Sequence, residues 1–116
     1  MASETDEAVL VEPEATIQAA SAAILDAREQ AAVVASAGKV HGVIGATEIA
    51  RALAEGHEAA STPVKEVLDR DAPRVDADEP LAEVRQRMRA AGRPLAIVLG
   101  RHGEPVGLLA DHEAAP

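Results

Sequence analysis

The chain contains no phenylalanine, tyrosine or tryptophan. Sites that stack bases or sugars on aromatic rings are excluded with them, and so are most readers of single-stranded nucleic acid. It contains no cysteine, which rules out disulfides, thiolate metal sites and a cysteine nucleophile and fits a reducing cytoplasm. Positive charge is also scarce. Eleven Lys and Arg stand against twenty Asp and Glu, a formal charge of −9, with no long basic cluster. Nucleic acid and anionic membranes should repel such a chain. No apolar run approaches the ~20 residues of a membrane span, so no membrane insertion is expected. The opening residues, Met1-Ala2-Ser3-Glu4-Thr5-Asp6-Glu7, are acidic and polar where a secretory signal has a basic start and an apolar core. Residues 1–7 read as a solvated, disordered tail.

What is present is aliphatic. Hydrophobic residues make up 47% of the 116 positions, but many are alanine. The burial energy therefore rests on Val, Leu and Ile, at roughly 1.5–3 kcal/mol for each fully buried side chain. After a short apolar run at 8–11, Glu12-Pro13-Glu14-Ala15 breaks the chain and Thr16 stands as a helix N-cap. Ile17, Ala20, Ile24 and Ala27 follow at the spacing of one helical face. Ala31-Ala32-Val33-Val34-Ala35 reads as a buried strand. Ser36-Ala37-Gly38-Lys39 turns the chain, and Val40 to Ile44 returns as the hairpin partner. A second helix is expected from about 47 to 54, ended by Gly56. Residues 57–62 read as a linker, with Thr62-Pro63 opening a short helix that carries Val64, Val67 and Leu68.

The second half repeats the first. Val75 matches Val11, a shift of 64 residues. Leu81, Val84, Met88 and Ala91 restate the helical face, and the strand at 94–99 restates 30–35. The turn Gly100-Arg101-His102-Gly103-Glu104 adds one residue, so Gly107 matches Gly42 at a shift of 65. The chain ends at Pro116, where the first half still has a helix to run, so the second copy is read as lacking most of its last helix. Each copy is a βαββα unit. One alone is too small to close a core, so two copies, 8–56 and 63–116, are expected to pack with pseudo-twofold symmetry and leave clefts between them. The fold class is α/β in the α+β sense.

These residues resemble a tandem pair of CBS domains, the Bateman module. The resemblance rests on Val11, Pro13, Thr16, Ile17 and Ala20, on Val75, Asp78, Pro80 and Leu81, on the strand Pro94-Leu95-Ala96-Ile97-Val98, and on Gly42 and Gly107. It spans almost the whole chain; no single motif is specific, but their order and duplication are. It implies a regulatory module that binds AMP, ADP, ATP or S-adenosylmethionine between the repeats, pairs into a homodimer and signals to a partner protein whose identity the sequence does not give. No covalent cofactor is implied.

The ligand motif of that family is Gly, an aliphatic, any residue, Thr or Ser, two spacers, Asp. The hydroxyl, with a helix N-terminus, meets phosphate, and the Asp accepts from the ribose diol. Here the hydroxyl position is Gly45 in copy one and Ala110 in copy two, and the acid is Glu48 and Glu113. Both hydroxyls are gone; both carboxylates remain, one methylene longer. The ligand-binding set implied is Glu48, Gly45, Thr47, Thr16 and Gly42, with Glu113, Ala110 and Arg93 at the second copy. Each has a purely structural reading as well. Glu48 and Glu113 sit where an acid complements a helix dipole, Thr16 caps a helix, and strand glycines mark close backbone approach. The four histidines are scattered and form no metal-ligand spacing. No nucleophile elbow, P-loop or paired His and carboxylate points to an enzyme. The second functional class is a ligand-free dimerisation and interaction module with a degenerate nucleotide site. A third reading makes the chain a detached regulatory half of a larger enzyme or transporter.

Overall fold

The computed structural model describes residues 5–111, with backbone only at 5–7. It is a mixed α/β structure divided into two compact units. One is Val9–Arg70; the other joins Met1–Ala8 to Asp71–Pro116.

In the Val9–Arg70 unit, β2 (Leu10–Val11) pairs in parallel with β3 (Ala31–Ser36), which pairs antiparallel with β4 (Lys39–Gly45). Helix α1 (Ile17–Ala27) crosses between β2 and β3, and α2 (Ala46–Ala54) leaves the end of β4. The helix begins at Thr16 because its hydroxyl accepts the Ala19 N–H at 3.1 Å, satisfying one of the orphan donors of the first turn. Thr16→Ala should cost about 1 kcal/mol, read as a lower urea midpoint at unchanged slope. Ile17, Ala20 and Ile24 are buried as their spacing requires, whereas Ala27, one turn further, is exposed. With Ala32, Val34, Ile44, Ala52 and Val64 they form this unit's core. All four of Ala31–Val34 are buried, so β3 reads as an unbroken apolar run rather than an alternating one.

In the other unit, β5 (Arg74–Asp76) pairs in parallel with β6 (Leu95–Leu99), and β6 pairs antiparallel with β7 (Pro105–Ala110). Helix α3 (Leu81–Ala91) buries Val84 and Met88 against Val75, Ala96, Val98 and Leu109. Leu81 and Ala91, expected on the same face, lie exposed at its ends. The β6–β7 turn is tied by Glu104, which accepts the His102 N–H at 2.9 Å. Its own backbone N–H and that of His102 hold this carboxyl below the ordinary value. That contribution is complete above the ordinary carboxylate pKa and is lost as pH falls through the depressed one.

Three sequence expectations change. Thr5–Glu7, read as part of a disordered tail, form strand β1, antiparallel to β7 with Asp6 opposite Leu108. They complete a four-stranded sheet ordered β1-β7-β6-β5. Residues 57–62, read as a linker, are bound into the first unit: Gln18 N–H donates to Ala59 O and Ile17 N–H to Thr62 O, each at 2.9 Å. The helix expected after Pro63 is a single 3-10 turn, Val64–Glu66, whose Val64 is buried in the first unit's core. By packing, the two compact units divide between Arg70 and Asp71. Residues 57–65 bond to the first turn of α1 and to the carbonyls of Pro13 and Ala15. Each outer hairpin strand has an open edge, and a segment from elsewhere in the chain satisfies it: β1 on β7, and Asp69 on Val43 of β4.

Candidate functional site

The first candidate site is the turn from β4 into α2. Val43 N–H donates to Asp69 O at 3.0 Å, and Asp69 N–H returns to Val43 O at 2.8 Å. This fixes the strand just before the turn. A Cβ on Gly42 would stand 2.2 Å from the Asp69 carbonyl oxygen. The residue is glycine because backbone passes against it. Gly45 is the N-cap of α2, in extended conformation and buried. Having no side chain, it makes no cap to the helix N–H groups; instead its own N–H donates to Glu48 Oε1 at 2.8 Å. That is the returning half of a capping box without the forward half.

The expected ribose acceptor is thus already engaged as a helix cap. A carboxylate has about four acceptor sites, so the cap does not exhaust it. Thr47 is exposed on the first turn of α2. Thr16 belongs to the same unit, but its hydroxyl is committed to Ala19 N–H, the structural role foreseen for it. Arg51 lies one turn beyond Glu48, exposed.

The second candidate site lies at the end of β7, in the other unit. Ala110 is half-buried there. Glu113 falls outside the described residues. Arg93 follows α3, its N–H donating to Met88 O at 2.9 Å behind the left-handed Gly92. The unforeseen residue is Asp111, a spacer in the sequence motif. It is 3% exposed, with Oδ2 at 3.0 Å from Arg89 Nε and 3.4 Å from Arg85 Nη1. The signal that marks it is a pair of arginines four residues apart on α3, a spacing that aims both at one neighbour. Among the described residues no group of three or more His, Asp or Glu is placed to hold a metal ion, and no helix is long and apolar enough to cross a membrane.

Two mixed sheets, each with a helix crossing between its parallel strands, define a duplicated α/β module. The CBS domain family model matches the sequence twice, at residues 4–55 and 64–114. The chain belongs to the CBS domain family and carries the domain in tandem. Among curated protein sequences none matches it. Solved structures that share the fold include a CBS domain protein from Pyrobaculum aerophilum complexed with AMP. It is 21% identical, with a TM-score of 0.81 over 90% of this chain and 81% of that one. An uncharacterized conserved protein from Pyrococcus horikoshii is 22% identical, with a TM-score of 0.81 over 92% and 82%. A CBS-domain containing protein from Agrobacterium tumefaciens is 22% identical, with a TM-score of 0.77 over 93% and 86%.

Proposed function

We propose that this tandem CBS pair is a cytoplasmic regulatory module, not an enzyme, that takes an adenosyl ligand at the β4–α2 turn of its first repeat. AMP, ADP, ATP and S-adenosylmethionine are the candidate ligands, and a homodimer signalling to a partner protein is the working unit. The observation that carries the reading is the turn itself. Strand, glycine and helix N-terminus are kept, with Glu48 at the position where the family motif places the ribose acceptor. AMP in the Pyrobaculum aerophilum relative supports the choice of ligand class.

The site departs from the motif in two ways that lower its affinity. Gly45 supplies no hydroxyl, a loss of about 1.5–3 kcal/mol where the hydrogen bond is to a charged phosphate. Glu48 must serve the diol while capping Gly45 N–H at 2.8 Å. Those two facts favour the second reading, a ligand-free interaction module. A thermal-shift panel with the four ligands at millimolar concentration separates them, read by dye or calorimetry because the chain has no Trp or Tyr. A ligand present at 100 times its Kd should stabilise by about 2.7 kcal/mol. Glu48→Gln keeps an oxygen for Gly45 N–H and removes the charge, so it should abolish the ligand shift at nearly unchanged basal Tm. No shift with any of the four ligands overturns the nucleotide reading and leaves the interaction module.

A further inference from the structure

Three charged residues of the second unit meet where β7 ends. Asp111 is buried, and its Oδ2 lies 3.0 Å from Arg89 Nε and 3.4 Å from Arg85 Nη1. Arg85 Nη1 also reaches the Ala110 carbonyl oxygen at 3.4 Å. The Asp111 N–H donates to Pro94 O at 2.8 Å, so the carboxylate is held by its backbone as well. The arginines are unequally covered, with side chains 23% and 46% exposed for Arg85 and Arg89. Counted alone, the triad carries one positive charge in excess, within a chain of formal charge −9. The first repeat has nothing like it. The positions matching Arg85, Arg89 and Asp111 are Ser21, Leu25 and Ala46, and none is charged.

Guanidinium groups bind phosphate oxygens as readily as carboxylate oxygens, through the same fork. Asp111 stands one residue beyond Ala110, the position where the family motif carries its phosphate-facing hydroxyl. We propose that Arg85 and Arg89 form a phosphate-type anion site that the chain's own Asp111 keeps filled. The second repeat is therefore self-occupied, and nucleotide enters the first repeat only. That stoichiometry rests on the nucleotide reading of the first repeat; the filled anion site stands without it. Removing the carboxylate leaves two guanidinium groups, one of them half-exposed, with one anionic partner fewer.

The test is calorimetric titration of the full chain with pyrophosphate, comparing wild type, Asp111→Asn, Arg89→Gln and the double variant. Asp111→Asn should bind at least tenfold more tightly than wild type, and adding Arg89→Gln should erase the gain. A folded Asp111→Asn that binds no more tightly than wild type overturns the proposal. Should Asp111→Asn fail to fold, wild type and Arg89→Gln decide. Equal behaviour toward pyrophosphate supports a site closed by Asp111, and wild-type binding that Arg89→Gln abolishes overturns it. A parallel titration with AMP should give one site per wild-type chain. Two sites overturn self-occupation. No AMP binding at all overturns the nucleotide reading of the first repeat while the pyrophosphate comparison keeps its meaning.

Discussion

Gly42→Val is expected to lower the unfolding free energy by about 3 kcal/mol or more, the upper part of the range for overpacked interiors. A Cβ at this position meets the Asp69 carbonyl oxygen at 2.2 Å and the Asp69 carbonyl carbon at 3.0 Å, both backbone, and Leu68 Cδ1 at 2.7 Å. A leucine methyl can rotate away; a carbonyl tied at both ends cannot. Asp69 is held by the reciprocal pair of hydrogen bonds to Val43, at 3.0 and 2.8 Å, so space for valine opens only by breaking that bridge. Gly92→Ala is the comparison. Its Cβ meets nothing within 4 Å, and the residue is strained only by its φ of +65°, a cost of about 1 kcal/mol. Urea midpoints for the two variants measure the difference. Equal losses would mean that the Val43–Asp69 bridge contributes nothing to holding β4. The same geometry bears on ligand data: a Gly42 variant disturbs the β4–α2 turn itself, so a loss of nucleotide binding in it is no proof of a contact from Gly42.

How far this architecture is legible in the sequence depends on how local each determinant is. Thr16 and the face Ile17, Ala20 and Ile24 are set within one helix, and they stand where the spacing places them. The apolar run at 31–34 is buried as one strand. The family match at residues 4–55 and 64–114 agrees with the repeat seen in Val11 and Val75. What fails is non-local. Thr5–Glu7 has no apolar pattern, and only the open edge of β7, some hundred positions away, makes it a strand. Pro63-Val64 carries a good helix-start signal, but Val64 N–H donates to Ala15 O at 2.8 Å and Lys65 N–H to Pro13 O at 3.1 Å. Those bonds hold the segment against the first unit, where only one 3-10 turn forms. At the candidate site the motif positions are readable and their engagement is not. Nothing in Gly45 or Glu48 as letters says that the second caps the first.

The ion-pair triad should show strong non-additivity. Asp111→Ala alone is expected to cost about 2–3 kcal/mol, somewhat below the roughly 3–5 kcal/mol for breaking a fully buried pair. The discount follows from Arg85 and Arg89, which are 23% and 46% exposed and so turn partly into water. Asp111 itself, 3% exposed, gives the guanidinium groups an anion they meet without solvent between. Replacing all three by the first repeat's residues, as Arg85→Ser, Arg89→Leu and Asp111→Ala, removes the guanidinium groups together with the carboxylate. That triple variant should lie within about 1 kcal/mol of wild type, because an ion pair exchanged whole for neutral groups is close to neutral in stability. The coupling energy from the cycle should then be about 1–3 kcal/mol, the range for residues in one network. The first unit supports the expectation, since it folds the matching helix and strand end with Ser21 and Leu25 in α1 and Ala46 just after β4, none of them charged. A triple variant as unstable as Asp111→Ala would show instead that the carboxylate holds the chain through its packing and not through charge. In that case Arg85 and Arg89 would have lost nothing electrostatic with Asp111.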